Sequence, residues 1–135
     1  MAPPEDTLIR VYSRSIWGER LVGWVAVDGY TYRARWLRQA KRLNWSVSKS
    51  GKVYLWVGPF KGLAGWVEPN GRIYDRYLLN YDYERINRPG LSGYVTLEGQ
   101  VYRLGLITKK HIGRVEGTED IDVMGGLALL LVLRR

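Results

Sequence analysis

The side chains best equipped for chemistry in this 135-residue chain are cations and flat rings, and they lie close together in sequence. Between Gly29 and Val67 stand Arg33, Arg35, Arg38, Lys41, Arg42, Lys49, Lys52 and Lys61, with no Asp or Glu among them. Basic and acidic residues balance over the rest of the chain, so the net charge of +8 belongs to this one stretch. Trp24, Trp36, Trp45 and Trp56 lie in or beside it, in a protein with 6 Trp, 10 Tyr and 1 Phe. Cations neutralise phosphates and release counterions. Indole and phenol rings stack on bases, at about 1–3 kcal/mol per base. The combination points to binding of single-stranded DNA or RNA, or of another polyanion. The expected contact set is Trp24, Arg33, Arg35, Arg38, Lys41, Arg42, Lys49, Lys52, Trp56 and Lys61. The plainer alternative is a solvated basic surface over aromatics that fill a β core.

Other chemistry has little to work with. The chain has no cysteine, which removes thiolate catalysis, disulfides and cysteine-ligated metals. His111 is its only histidine, so a catalytic triad or a multi-histidine metal site within one chain is excluded. A lone His111 is expected at the surface. Asp75, Asp82 and Glu84 could supply a carboxylate pair, but their spacing does not set them apart. There is no glycine-rich phosphate loop. A non-enzymatic binding protein without a cofactor is expected. Residues 1–6 are acidic and Pro-rich, reading as a flexible tail before a single β-rich domain, 7–135. They lack the features of a signal peptide, and no apolar run approaches the ~20 residues that span a bilayer. A cytoplasmic protein without a transmembrane segment is the expectation.

The elements that must carry these side chains announce themselves by repetition. Gly23-Trp24-Val25-Ala26-Val27-Asp28-Gly29-Tyr30-Thr31-Tyr32 recurs as residues 65–74 and 93–102, and more faintly as 45–54. Val holds the third position, Gly the seventh and Tyr the tenth in every copy. Asp-Gly or Asn-Gly between alternating residues signals a hairpin. A two-residue turn at Asp28-Gly29 predicts Val25 opposite Tyr32 and Trp24 opposite Arg33, with the same pairing in the other copies. The predicted fold is mainly β: repeated antiparallel hairpins in a small barrel or sandwich.

Three stretches depart from this pattern. Trp36, Leu37, Ala40 and Leu43 share one helical stripe and Arg35, Arg38 and Arg42 another, predicting a short basic helix near 35–43, with continued strand as the alternative. The stretch 108–120 is polar and reads as a loop. Residues 127–133 are apolar throughout, and periodicity cannot separate a buried strand from a buried helix. Gly125-Gly126 and the short length favour a strand that closes the sheet or pairs two copies into a homo-oligomer.

The fragments Gly23-Trp24-Val25…Gly29…Tyr32 and Gly65-Trp66-Val67…Gly71…Tyr74 are similar to the hairpin of choline-binding cell-wall repeats. That resemblance implies aromatics of successive hairpins caging a quaternary ammonium. It keeps a carbohydrate or small-ligand module open beside the nucleic-acid reading. An assembly subunit, built through 127–133, is the third possibility.

Overall fold

Each repeat folds as an antiparallel hairpin, and the hairpins join edge to edge into one sheet. The computed structural model describes residues 5–34, 41–75, 91–105 and 107–133. The strands are β1 (Thr7–Ser15), β2 (Gly18–Ala26), β3 (Thr31–Arg33), β4 (Lys41–Leu43), β5 (Trp45–Val47) and β6 (Lys52–Val57). They continue as β7 (Phe60–Val67), β8 (Arg72–Asp75), β9 (Leu91–Val95), β10 (Gln100–Leu104) and β11 (Lys109–Glu116). Their order in the sheet is β4-β3-β2-β1-β11-β10-β9-β8-β7-β6-β5, antiparallel throughout. The two edge strands are separated in sequence by Asn44 alone. Residues 41–47 are therefore one run, pairing with β3 through its first half and with β6 through its second. The sheet curls into a nearly closed barrel, and that run is its seam. The predicted helix near 35–43 gives way to strand at Lys41–Leu43, because Arg42 and Leu43 complete a ladder opposite Tyr32 and Thr31. Arg35 and Arg38 lie outside the described residues.

The turns differ from the two-residue form. In all four hairpins the glycine N–H closes a four-residue turn, as in Gly29 N to Ala26 O and Gly71 N to Glu68 O, both 2.8–2.9 Å. The glycine then bulges at positive φ, 85° at Gly29 and 89° at Gly71. This is a three-residue loop, a type I turn followed by a bulged glycine. Pro69 shows why: it fits the second position of a type I turn, where its φ is already set. Ser50 and Glu98 likewise need no positive φ there. The longer loop moves the register by one. Trp24 faces Tyr32, Val25 faces Thr31 and Gly23 faces Arg33. Trp66 faces Tyr74, and Tyr94 faces Tyr102. The expected Val–Tyr and Trp–Arg pairs do not form. Rings now share the outer face, and β-branched residues share the inner one.

A fifth unit completes the circle. Gly113-Arg114-Val115 of β11 pairs with Ser13, Tyr12 and Val11 of β1 in the register of the other hairpins. Its halves lie at opposite ends of the chain, so no turn joins them. The inner residues Val11, Thr31, Val53, Ile73 and Val101 are at most 1% exposed. A bulge precedes each strand glycine, and its extra residue is Val22, Ala64, Ser92 or Ile112, all buried. Bulges of this kind tighten the curl that closes a barrel. The polar stretch expected as a loop thus supplies β11: its polar side chains point outward while Ile112 and Val115 face in.

The apolar C-terminus fills the barrel as a helix. An α-helix, α1 (Ile121–Leu127), passes into a π-helical segment (Ala128–Leu133), and every residue from Met124 to Leu133 is buried. The expected strand fails for a physical reason. Inside a closed barrel there is no free ladder to pair with, and a helix satisfies its backbone groups internally. Asp120 caps it by accepting from Asp122 N and Val123 N. Gly125 and Gly126 let it approach the wall, since a Cβ would lie 2.6 Å from the Val67 γ-carbons at one and 2.8 Å from Val47 Cγ2 at the other. At its far end Arg103 Nη2 donates to the carbonyls of Leu133 at 3.0 Å and Val132 at 3.5 Å. Enclosed in its own barrel, 127–133 offers no face to a second copy. No helix among the described residues is long and apolar enough to cross a membrane.

The β1–β11 joint carries an ion network on its outer face. Glu116 bonds Arg114 and also Arg10 at 3.2 Å, while Arg114 Nε reaches Glu19 at 2.6 Å. Hydrogen bonding from Arg114 holds the Glu116 carboxyl below the ordinary glutamate range. A depressed carboxyl pKa stabilises the fold above the unfolded-state value and ceases to do so as pH falls through the folded value. Thermal unfolding followed from pH 7 to pH 3 should therefore show a loss in the wild type that is smaller in Glu116→Gln. The difference will be modest, because Glu116 is more than a third exposed and Arg114 nearly so.

Candidate nucleic-acid interface

The seam is where the barrel's aromatic and basic side chains converge. Tight pairing elsewhere leaves no space between strands, but β4 and β5 are joined only through Asn44. Its carbonyl accepts from Trp56 N at 2.9 Å. Trp45 occupies the position that is glycine in Gly23, Gly65, Gly93 and Gly113. Its ring turns to the seam and its Nε1 donates to Thr31 Oγ1. Thr31 replaces the Val or Ile found at the equivalent inner position of the other units, so the buried hydroxyl has a purpose here: it anchors that indole.

Between these groups lies a cleft of about 350 Å³, whose walls include Tyr30, Thr31, Asn44, Trp45 and Trp56. Tyr30 is 46% exposed and Trp56 41% exposed, so both present a ring to solvent. A cation stands over a ring on each lip. The Arg42 guanidinium lies 4.4 Å from the Tyr30 centroid. Lys61 Nζ lies 4.6 Å from the Tyr54 centroid and 5.8 Å from that of Trp56. Such pairs hold long side chains in place and keep charge beside a stacking surface.

The remaining expected contacts divide by position. Arg33 and Lys41 face each other across β3 and β4, on the Arg42 side of the cleft. Lys49 and Lys52 lie in the β5–β6 hairpin on the other side. All four are exposed. Among the described residues, the ion pairs are made by Arg10 and Arg114, and none involves this basic group. The structure therefore places Arg33, Lys41, Arg42, Lys49, Lys52 and Lys61 on the two flanks of one seam, with no carboxylate at ion-pair distance from them among the described residues. Trp24 does not join them. Its ring is only 4% exposed, packed with Leu21, Ala26, Tyr12 and Tyr32. It stacks on Tyr32 at 5.9 Å and 19°, which uses a face expected to meet a base.

Sequence reasoning did not single out Tyr30, Thr31 or Asn44, and it placed Trp45 beside the basic stretch without including it in the expected contact set. The departure of Trp45 from the repeat's glycine was the available signal: its ring is admitted on the inner side because Gly126 of the helix lies opposite, where a Cβ would come within 3.3 Å of Trp45 Cζ3. Away from the seam, stacked pairs ring the barrel: Trp66–Tyr74 at 5.4 Å and Tyr94–Tyr102 at 4.9 Å. Lys109 covers Tyr94 and Tyr102, and Arg114 covers Tyr12. His111, expected at the surface, is half-buried with its ring 5.0 Å from that of Tyr102. No cluster of three or more metal-ligating side chains occurs among the described residues. Comparison with family models, curated proteins and solved structures finds no match for this chain.

Proposed function

We propose that this protein binds single-stranded nucleic acid across the barrel seam and that its role is recognition rather than catalysis. One observation carries the reading: an aromatic cleft open to solvent with an unneutralised cation seated over a ring on each lip. A base would enter between Tyr30 and Trp56, with Trp45 as the inner wall. Phosphates on either side would meet Arg42 and Lys61, and the flanking strand would run past Arg33 and Lys41 or past Lys49 and Lys52. The cleft volume suits one ring, and a stacking surface accepts any base because every base has a π-face.

The test is a titration of a fluorescently labelled oligothymidine at several salt concentrations. Affinity should fall steeply with salt, and Arg42→Ala should make the logarithmic slope about one unit shallower. Trp56→Ala should weaken binding by about 1–3 kcal/mol while leaving the slope unchanged. Binding that ignores both variants would place the interface elsewhere. Salt-insensitive quenching of tryptophan fluorescence by a neutral sugar, with no oligonucleotide binding, would favour the small-ligand module.

A further inference from the structure

The barrel has a second opening, at the end where the helix finishes. A pocket of about 710 Å³ lies there between the β1–β2 connection and strands β10 and β11. In the sheet order β11 and β10 are the fifth and sixth of eleven strands, while the seam joins the two edges. The pocket and the seam cleft are thus on opposite sides of the barrel.

Its walls combine apolar surface with cationic side chains, and Ser15 lines it as well. Ile112 and Val132, both buried, form apolar wall, and Trp17 and Ile16 at the hairpin tip are 90% and 91% exposed beside it. The charged lining comes from Arg14, Arg103 and Lys110, and no described lining residue is a carboxylate. Arg14 Nη1 lies 2.9 Å from His111 Nδ1. An arginine nitrogen can only donate, so Nδ1 accepts and the imidazole proton resides on Nε2. That Nε2 is closed off from solvent and has no hydrogen-bond partner among the described residues. Arg103 is fixed by its bonds to the helix carbonyls. Three cationic side chains therefore line this opening with no described carboxylate among them, a charge imbalance that a bound anion would offset.

We propose that this opening is a binding site for an amphipathic organic anion: a phosphate monoester head attached to a flat or aliphatic body. Arginine forks and a lysine suit phosphate oxygens. Trp17, Ile16, Ile112 and Val132 would cover the apolar body. The volume falls within the range of small-molecule sites. The site is independent of the seam and does not require nucleic acid to bind there.

Calorimetric titration of the full chain with 1-naphthyl phosphate tests this, with inorganic phosphate and 1-naphthol as the separate halves. The joined molecule should bind at least about ten-fold more tightly than either half, since each half meets only part of the pocket. Lys110→Gln should cost about ten-fold or more, the loss of a charge-assisted bond. Trp17→Ala should cost a similar factor through lost ring contact. Both side chains are exposed, so neither change threatens the fold. Trp56→Ala, at the seam, should leave this binding unchanged. Co-sedimentation with phosphatidylcholine vesicles containing phosphatidic acid, but not with phosphatidylcholine alone, would identify the head as lipid-borne; naphthyl phosphate binding without it would identify a free small molecule. The proposal is overturned if neither probe binds, if binding ignores Lys110→Gln and Trp17→Ala, or if Trp56→Ala abolishes it.

Discussion

Leu129→Asp is expected to leave no folded protein at 25 °C, with far-ultraviolet circular dichroism and urea titration showing an unfolded chain. Leu129 is 0% exposed at the centre of the barrel, in the cluster that joins Val53, Ile73, Val101 and Leu131. Its truncation to Ala should already cost about 2–5 kcal/mol through lost burial and the cavity left behind. A carboxylate there adds the cost of an unpaired buried charge. A domain stability of about 5–15 kcal/mol does not survive both. The same variant separates two pictures of the C-terminus. Were 127–133 an interface strand, Leu129→Asp would yield a folded monomer from a larger assembly. A folded, monomeric Leu129→Asp would therefore remove the central helix from the account of this fold.

Gly71→Ala and Gly29→Ala should differ sharply although both glycines hold the same backbone conformation. Their φ values are 89° and 85°. Around Gly29 an added Cβ meets nothing within 4 Å, whereas at Gly71 it would overlap the Val95 carbonyl oxygen. That carbonyl belongs to a strand residue whose own N–H donates to Gly71 O at 2.9 Å, so the two backbones cannot separate without losing a bond. Gly29→Ala should cost only left-handed strain, about 1 kcal/mol. Gly71→Ala should cost roughly 2–6 kcal/mol, combining that strain with overpacking against backbone. Chemical denaturation midpoints of the two variants decide the matter. Equal losses would mean that conformation alone keeps glycine at the seventh position.

That comparison also shows how far the repeat was legible. Val at the third position, Gly at the seventh and Tyr at the tenth located four hairpins. The loop length was misjudged, although Pro69 carried the needed signal: its fixed φ suits the second position of a type I turn. The fifth unit could not be read as a repeat, because Gly113–Val115 and Val11–Tyr12 lie more than ninety residues apart and have no turn between them. The basic stretch was correctly located along the chain, but Trp24 and Trp56 looked equivalent there. Only packing distinguishes them: Trp24 is sealed against Leu21 and Tyr32, while Trp56 stands at the rim of the seam.

The amino-acid sequence alone determined the hairpin unit and the confinement of excess charge to 29–67. These are local properties, set by φ preferences and by which neighbours lie two residues apart. Tertiary structure decided the rest. It made the apolar C-terminus a helix, because a closed barrel leaves no strand edge inside it. It opened the seam at Asn44, because one short run had to serve both edges of the sheet. It also set Arg42 and Lys61 on opposite lips of one cleft, a proximity that arises only when distant strands meet around the barrel.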